Sequence, residues 1–222
     1  MLDPQFTVAR IVLDHPECAP VFSRHRIDFC CHGDVPLGAA CEARSLELDA
    51  VQAELGSAIV ARRGEPAEDP RALGTPALIA RIISRHHEYL RRALPFVVEL
   101  SAKVARVHGE HDPRLRELDT VVRSLSAALL PHLDTEEQSL FPRLMMKPAD
   151  QAAIARELLE MHEDHLAVGQ MLGRIREAGD GFTVPEWGCN SYRTLFAELE
   201  HLEADILRHV HLENHVLMPR FG

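Results

Sequence analysis

The chain has 222 residues, of which 46% are hydrophobic, and a formal net charge of −10 from 34 acidic and 24 basic side chains. This length and hydrophobic content allow one medium or two smaller globular domains and exclude disorder as the default expectation. The negative charge argues against a nucleic-acid groove or an anionic membrane surface as the partner. No apolar run approaches the roughly 18–20 residues of a membrane span, and no secretory signal is recognisable, so we expect a cytoplasmic protein.

Cysteine and histidine usage points away from a disulfide framework and towards metal chemistry. The five cysteines are odd in number, two of them (Cys30 and Cys31) are adjacent, and the chain is too long to need cross-links. The fourteen histidines are the compositional oddity. Most of them fall within segments of helical periodicity.

In chain order, the first 62 residues predict a small helical domain. Helices are expected over residues 8–13, 19–25, 37–44 and 49–62, with a turn at 27–36 that contains the cysteine pair. Residues 63–75 are rich in glycine, proline and charge, which is typical of an interdomain linker.

From residue 76 onward the periodicity predicts four long helices. They are expected over about 76–108, 113–145, 148–180 and 185–219, with kinks at Pro95 and Pro131. Four helices of about 45 Å each predict an up-down-up-down four-helix bundle. The predicted fold class is therefore all-α, with a small N-terminal helical domain followed by a bundle over residues 76–222.

Two glutamates in this bundle each follow a histidine by four residues. His132 precedes Glu136 and His209 precedes Glu213, and side chains at positions i and i+4 lie on the same face of a helix. An ionised glutamate that faces a bundle core costs several kcal/mol unless a cation neutralises it. A single histidine on such a face would indicate a hydrogen-bonded core residue, whereas the repeated pair predicts a metal site.

Histidines on the other two helices complete a ligand set for two metal ions. The first helix offers His86 or His87, and the third offers His162 or His165. Four imidazoles and two carboxylates without thiolate suit iron, manganese or zinc. We expect two Fe ions in an oxo- or hydroxo-bridged di-iron centre, with positions open to O2 or NO. Partners for the second ring nitrogens are expected among Asp164, Glu137, Asp205 and His108.

With these residues placed, residues 78–222 resemble the hemerythrin-like (HHE cation-binding) bundle. The run IDFCCHG at residues 27–33 resembles the small N-terminal domain of the RIC (repair of iron centres) proteins, although His32 stands where a glycine is usual. The resemblance implies that both glutamates bridge the metal ions. The ligand set that it implies is His87, His132, Glu136, His165, His209 and Glu213.

The resemblance also implies a function. The chain is expected to be a non-haem di-iron protein that repairs iron–sulfur clusters damaged by nitric oxide or oxidative stress, by donating iron or by removing NO. The expected partners are damaged iron–sulfur proteins or a cluster-assembly scaffold, with NO or O2 as a small ligand, and neither nucleic acid nor membrane. A homodimer is left open.

Alternatives remain at this point for the cysteines and for the activity. Cys30 and Cys31 are our candidates for reactive residues that receive or pass NO, iron or electrons, or else they are small buried residues in a tight turn. The same metal centre also fits an oxidoreductase that reduces NO or peroxide. A hemerythrin-like carrier or sensor of O2 or iron is the third candidate.

Overall fold

The computed structural model describes residues 2–62, 69–146 and 150–221. Within these ranges the secondary structure is helical, without a β-strand and with a single isolated β-bridge between Thr7 and Pro36. The predicted all-α fold is therefore confirmed. Residues 63–68, the larger part of the expected linker over 63–75, lie outside the described residues.

Ten α-helices occur in the described part of the chain: α1 Val8–Asp14, α2 Ala19–Arg24, α3 Leu37–Ala43, α4 Leu48–Ala61, α5 Thr75–Ile82, α6 Glu88–His108, α7 Arg114–Thr135, α8 Phe141–Met145, α9 Gln151–Ala178 and α10 Asn190–Leu212. Short 3-10 helices lie at Pro16–Cys18, Pro70–Ala72, Asp180–Phe182 and Met218–Arg220. No helix of residues 2–62, 69–146 and 150–221 combines the length and the apolar character that crossing a bilayer demands.

The helices fall into two compact units. Residues up to Gly74 form one unit together with Leu207–Arg220, and Thr75–Ile206 form the main part of the other. Helix α10 runs without a break through the boundary between residues 206 and 207, so it contributes to both units.

The first unit buries the inner faces of its short helices. Thr7 caps α1, because its hydroxyl accepts the backbone N–H of Arg10 at 3.2 Å. The backbone N–H of Ala9 donates to the carbonyl of Gly33 at 2.8 Å, which fixes the loop before α3 against α1. Only glycine fits at position 33, since a Cβ there would lie 2.5 Å from the carbonyl oxygen of Phe29. The largest buried side chains of this unit are Phe22, Phe29, Ile11, Leu37 and Leu55.

The second unit is a helical bundle in which α7 packs against both α6 and α9. Apolar side chains recur every three or four residues along α7, which places them on one face of the helix. The buried residues of this stripe are Leu115, Leu118, Val121, Val122, Leu125, Leu129 and Leu133. Pro95 lies inside α6 and Pro131 inside α7, and the kinks expected there remain predictions.

Three long helices of the sequence prediction are interrupted by single π-helical turns. The turns lie at Ile83–His87, Glu136–Leu140 and Glu213–Leu217. Each is closed by a backbone hydrogen bond that spans five residues, for example from the N–H of Phe141 to the carbonyl of Glu136. The sequence analysis did not predict these turns within the helices expected over 76–108, 113–145 and 185–219.

Proline gives a physical reason for two of the three turns. Pro142 follows Glu136 by six residues, and Pro219 follows Glu213 by six. Proline has no N–H, so the α-helical bond to the carbonyl four residues back is absent there, and a wider turn costs less.

The last long helix also begins later than expected. The sequence predicted a start near Pro185, whereas α10 begins at Asn190. A turn occupies the intervening segment, with the N–H of Gly188 bonded to the carbonyl of Pro185 at 2.8 Å. This turn needs glycine, since a Cβ on residue 188 would lie 2.8 Å from the side chain of Val184.

One buried ion pair joins α9 to α10. The guanidinium of Arg176 donates to both carboxylate oxygens of Glu203, and the two side chains are only 15% and 9% exposed. Arg176 also lies over the ring of Phe182, 4.7 Å from its centroid. Removing one member of such a pair leaves a buried charge without compensation.

Replacing this arginine should therefore destabilise the bundle. We expect Arg176→Met to lower the free energy of unfolding by about 3–5 kcal/mol, measured by urea denaturation at neutral pH. The matched control is Arg174→Met, because Arg174 pairs with Glu117 on the surface, where both side chains are more than half exposed, and such pairs contribute less than about 1 kcal/mol. Equal losses in the two variants would contradict the assignment.

Candidate metal centre

The six residues predicted as metal ligands are all buried. Their side chains come from four different helical segments, and their exposure ranges from 0% for His87 to 7% for His132. Burial of two carboxylates and four imidazoles is unusual, because charged side chains are seldom fully buried unless they are paired or bind metal. The residues are His87, His132, Glu136, His165, His209 and Glu213.

These residues form two overlapping groups whose ligand atoms can each hold a metal ion. In one group, His87 and His209 lie with both glutamates, and in the other, His132 and His165 lie with the same two glutamates. Within each group the ligand atoms are all within 4.8 Å of one another. Glu136 and Glu213 thus belong to both groups, and each group adds two imidazoles.

The two oxygens of Glu136 face different histidines. Its Oε2 lies 3.4 Å from Nε2 of His87, and its Oε1 lies 3.3 Å from Nε2 of His132. Two donors that are each about 2.1 Å from one ion, at an angle of about 90–110°, are about 3.0–3.4 Å apart. The separations therefore fit ligands of a shared ion on each side of this carboxylate. The second pair, Nε2 of His209 and Oε1 of Glu213, is closer at 2.9 Å.

Carboxylates outside the group orient the imidazoles. Nδ1 of His87 lies 2.9 Å from Glu137, and Nδ1 of His132 lies 3.0 Å from Asp164, as the sequence predicted for both acceptors. A histidine that donates from Nδ1 presents the lone pair of Nε2, so both rings direct a metal-binding nitrogen towards Glu136. Burial works to raise the pKa of Glu137, but hydrogen bonds from His87 and Arg91 outweigh it and lower that pKa.

The structure separates the histidine candidates that the sequence left open. His87 and His165 belong to the groups. His86 is buried too, but its Nδ1 lies 2.9 Å from Asp205 on α10. Asp205 was expected near a metal ligand and instead partners this neighbouring histidine. His162 is only partly buried and lies in neither group.

The expectation that His108 lies beside the metal ligands was wrong. Its Nε2 is 3.2 Å from Sγ of Cys189, and its ring packs against Trp187 and Tyr192, with centroids 5.6 and 5.9 Å away. His108 is the last residue of α6, whereas His87 directly precedes that helix. The length of α6, 21 residues, therefore places His108 about 30 Å along the axis from His87.

The cysteine pair lies in a loop organised by Asp28. Its Oδ1 accepts the backbone N–H groups of Cys30 and Cys31, each at 2.9 Å, and its Oδ2 lies 2.8 Å from Nδ1 of His32. The hydrogen bonds to His32 and to the loop outweigh burial and lower the pKa of Asp28. A hydrogen bond to Cys31, burial and the charge of Asp28 raise the pKa of the Cys30 thiol. None of the five cysteines, all within the described residues, forms a disulfide.

Residues beside Glu213 hold this loop by its carbonyl groups. The Cys30 carbonyl accepts from Nδ2 of Asn214 and lies at hydrogen-bond distance from Nε2 of His215, both at 2.9 Å. The carbonyl of Phe29 lies 2.9 Å from Nδ1 of His211, whose pKa burial lowers to about 3, so this ring is neutral. The sequence analysis missed these three residues. The run HVHLENH, residues 209–215, contains more histidines than predicted ligands, and this excess could have indicated that His211 and His215 have another role.

The chemistry of the donor set fits metal binding. Buried imidazole and carboxylate groups, oriented by outer carboxylates, are the usual ligands of iron, manganese and zinc in proteins. The three π turns carry His86, His87, Glu136 and Glu213, and π turns inside helices occur frequently at functional sites. Each of the two groups offers donors that could hold a metal ion.

Two protein families match the chain in succession. Residues 78–221 match the hemerythrin HHE cation-binding domain, and residues 4–59 match the ScdA_N domain, described as a domain of unknown function. The matched bundle includes all six buried residues of the two groups.

Relatives with assigned roles match nearly the whole chain. An iron-sulfur cluster repair protein YtfE from Yersinia pseudotuberculosis serotype IB is 35% identical over 207 residues, which cover 92% of this chain and 91% of the relative. The protein of the same name from Yersinia pestis strain Pestoides F is similar to the same extent. The chain therefore belongs to the hemerythrin HHE cation-binding family, in the group of iron–sulfur cluster repair proteins that carry an N-terminal ScdA_N domain.

Proposed function

We propose that this protein is a non-haem di-iron protein that repairs iron–sulfur clusters damaged by nitric oxide or oxidative stress. One observation carries the proposal: Glu136 and Glu213 are shared by two groups of buried histidines. The relatives are named for iron–sulfur cluster repair, and this chain carries the donor set that such a centre requires. Iron–sulfur proteins with damaged clusters, or a scaffold for cluster assembly, are the proposed partners.

Two iron ions are the proposed cofactor. His87 and His209 would hold one ion and His132 and His165 the other, with both glutamates bridging them. Iron supplies redox chemistry and affinity for diatomic molecules such as NO and O2. Two imidazoles and two carboxylate oxygens per ion would leave room for a further small ligand, and the two carboxylates would balance only part of the charge. Those features support an oxo- or hydroxo-bridged centre that takes part in iron donation or in NO removal.

The chain's own residues define how such a centre is held. Glu137 and Asp164 accept hydrogen bonds from the Nδ1–H groups of His87 and His132, which leaves Nε2 of both rings as the nitrogen that would bind metal. Arg91 lies 3.0 Å from Glu137 and 2.7 Å from Asp134, so it neutralises the outer carboxylates without competing for the inner ones. Phe141 stacks on the ring of His87, with 5.7 Å between centroids, and limits access of water.

Cys30 and Cys31 are proposed to receive or pass NO, iron or electrons. Support comes from the loop's attachment, since the π turn at Glu213–Leu217 carries the side chains of Asn214 and His215 that hold the Cys30 carbonyl. A loop held in this way can respond to changes at Glu213. This attachment favours repair over a simple O2 carrier, which has no need of a tethered thiol pair.

The proposed organisation is a small helical domain over residues 1–62, a linker over 63–75 and the metal-binding bundle over 76–222. The family matches to residues 4–59 and 78–221 support this division. The proposed location is the cytoplasm, where iron–sulfur enzymes and a reducing environment for the thiols are found. A homodimer is the proposed assembly, to be tested by solution scattering.

Repair itself can be tested with labelled iron. The protein loaded with ⁵⁷Fe should reactivate a [4Fe–4S] hydratase that has been inactivated by NO, and the label should appear in the restored cluster if iron is donated. Reactivation without transfer of label, accompanied by consumption of NO, would assign the activity to NO removal. Steady reduction of NO with a supplied reductant, without any reactivation, would favour the oxidoreductase instead.

Iron binding should be most sensitive to replacement of a carboxylate that both groups share. Because Glu136 belongs to both groups, Glu136→Ala should reduce the iron content from two ions to less than one per chain, measured by mass spectrometry. Glu137→Ala removes only the partner of His87 and should weaken iron binding about 10–100-fold. Glu160→Ala, at an exposed position on α9, is the control and should bind iron normally. Full iron content in Glu136→Ala would contradict a shared site.

Metal binding should also stabilise the fold. A ligand that binds only the native state at 100 times its Kd adds about 2.7 kcal/mol, which corresponds to roughly 5–10 °C for a chain of this size. Calorimetry should show the iron-free protein melting lower by this amount, with recovery when Fe²⁺ is restored. Glu136→Ala should show no shift on addition of iron. Identical melting of the iron-free and iron-loaded proteins would exclude a metal buried in the core.

A further inference from the structure

In the cysteine loop, Sγ of Cys30 lies at separations from Cys31 and Asp28 that suit ligands of a single metal ion. Sγ of Cys30 lies 3.6 Å from Sγ of Cys31 and 3.3 Å from Oδ1 of Asp28. In a tetrahedral site with bonds of about 2.3 Å to sulfur and about 2.0 Å to oxygen, two sulfurs are about 3.8 Å apart and a sulfur and an oxygen about 3.5 Å apart. We propose that Asp28, Cys30 and Cys31 bind one divalent cation, Zn²⁺ or Fe²⁺, at a site separate from the histidine and glutamate groups.

The three ligand atoms lie within 4.8 Å of one another, so the loop needs little rearrangement to receive the ion. In this structure, the thiol of Cys30 donates to Oδ1 of Asp28 at 3.3 Å. The ion takes the place of thiol protons between these atoms. Binding then follows M²⁺ + 2 Cys–SH → M(S–Cys)₂ + 2 H⁺, with the carboxylate already ionised and no change in oxidation state.

The backbone around the ligands is held before the metal arrives. Asp28 cannot rotate freely, because Oδ1 accepts the N–H groups of Cys30 and Cys31 and Oδ2 faces His32 at 2.8 Å. On the other side, Asn214 fixes the Cys30 carbonyl at 2.9 Å. His32 acts here as a positioning residue, since its ring nitrogen orients the carboxylate as outer partners of metal ligands do.

The partial exposure of Cys31 gives a metal ion a way into the loop, and the two thiolates restrict which metals bind. Cys30 is 2% exposed, whereas Cys31 is only partly buried, so one sulfur lies inside and the other reaches the surface. Two thiolates select zinc or ferrous iron over magnesium and calcium, which prefer oxygen ligands. Three protein ligands leave the fourth tetrahedral position for water or for a ligand of another molecule. A role for this site in handing ferrous iron to a damaged cluster rests on the proposed function, whereas the metal site itself does not.

Cobalt(II) is a suitable probe, because thiolate-to-cobalt charge transfer absorbs in the near ultraviolet and the bundle groups contain no thiolate. The full-length protein, loaded with iron and kept reduced without oxygen, should develop this band on titration with Co²⁺. The band should saturate at one Co²⁺ per chain, with release of two protons, and Zn²⁺ should displace it. Absence of the band at any cobalt concentration would overturn the proposal, whatever the outcome of the repair assay.

Variants assign the band to the loop. Cys31→Ser should reduce the affinity for Co²⁺ at least 100-fold, and Asp28→Asn, which keeps an oxygen to accept the two backbone N–H groups, should weaken it at least tenfold. His32→Ala should weaken it about tenfold. Cys189→Ser is the matched control, because Cys189 is exposed and bonded to His108, and it should leave the titration unchanged. The iron content of the bundle verifies folding in every variant. Unchanged affinity for Co²⁺ in Cys31→Ser, or loss of the band in Cys189→Ser, would refute the site.

Discussion

Burial of two carboxylates among four imidazoles is the constraint on which the rest of this molecule depends. Glu136 is 2% exposed and Glu213 is fully buried, and negative charge in a bundle core requires compensation by cations or by donated protons. The chain meets this requirement with histidines whose outer nitrogens are held by Glu137 and Asp164. Glu137 and Asp164 lie outside the imidazoles, whereas Glu136 and Glu213 lie among them. Outer carboxylates of this kind orient the imidazole ligands in metal sites of proteins.

The backbone contributes to this arrangement through its π turns. A π turn adds one residue to a helical turn and rotates the side chains that follow by about 100° relative to an uninterrupted helix. Glu136 and Glu213 each begin such a turn, so the helix before each glutamate and the helix after it can present different faces to the core. Prolines six residues after both glutamates make this local widening inexpensive. The two halves of the site therefore share a π turn as well as a histidine–glutamate pair.

The segment from His209 to His215, which spans the end of α10 and the start of the following π turn, makes two kinds of contact. His209 and Glu213 belong to the candidate metal-binding groups, while His211, Asn214 and His215 hold the cysteine loop by its carbonyl groups. Neutral His211 suits this purpose, because a protonated ring would be costly in its buried position. A shift of the π turn would move both the Glu213 carboxylate and the carbonyl of Cys30. One short segment therefore supports both candidate metal ligands and the loop that carries the two thiols.

The amino-acid sequence by itself determined the helical class and the two histidine–glutamate pairs, because helical periodicity and i,i+4 stacking are local properties. Glu137 and Asp164 were also predictable as acceptors, since each lies next to a candidate ligand in sequence. Only the tertiary structure decided whether His86 or His87 joins a group, because adjacent helical residues point about 100° apart and the packing of α6 sets the rotation. It likewise placed His108 beside Cys189 and brought His211 to the carbonyl of Phe29, 182 residues away. Contacts over such distances depend on how helices pack, which no local pattern of residues specifies.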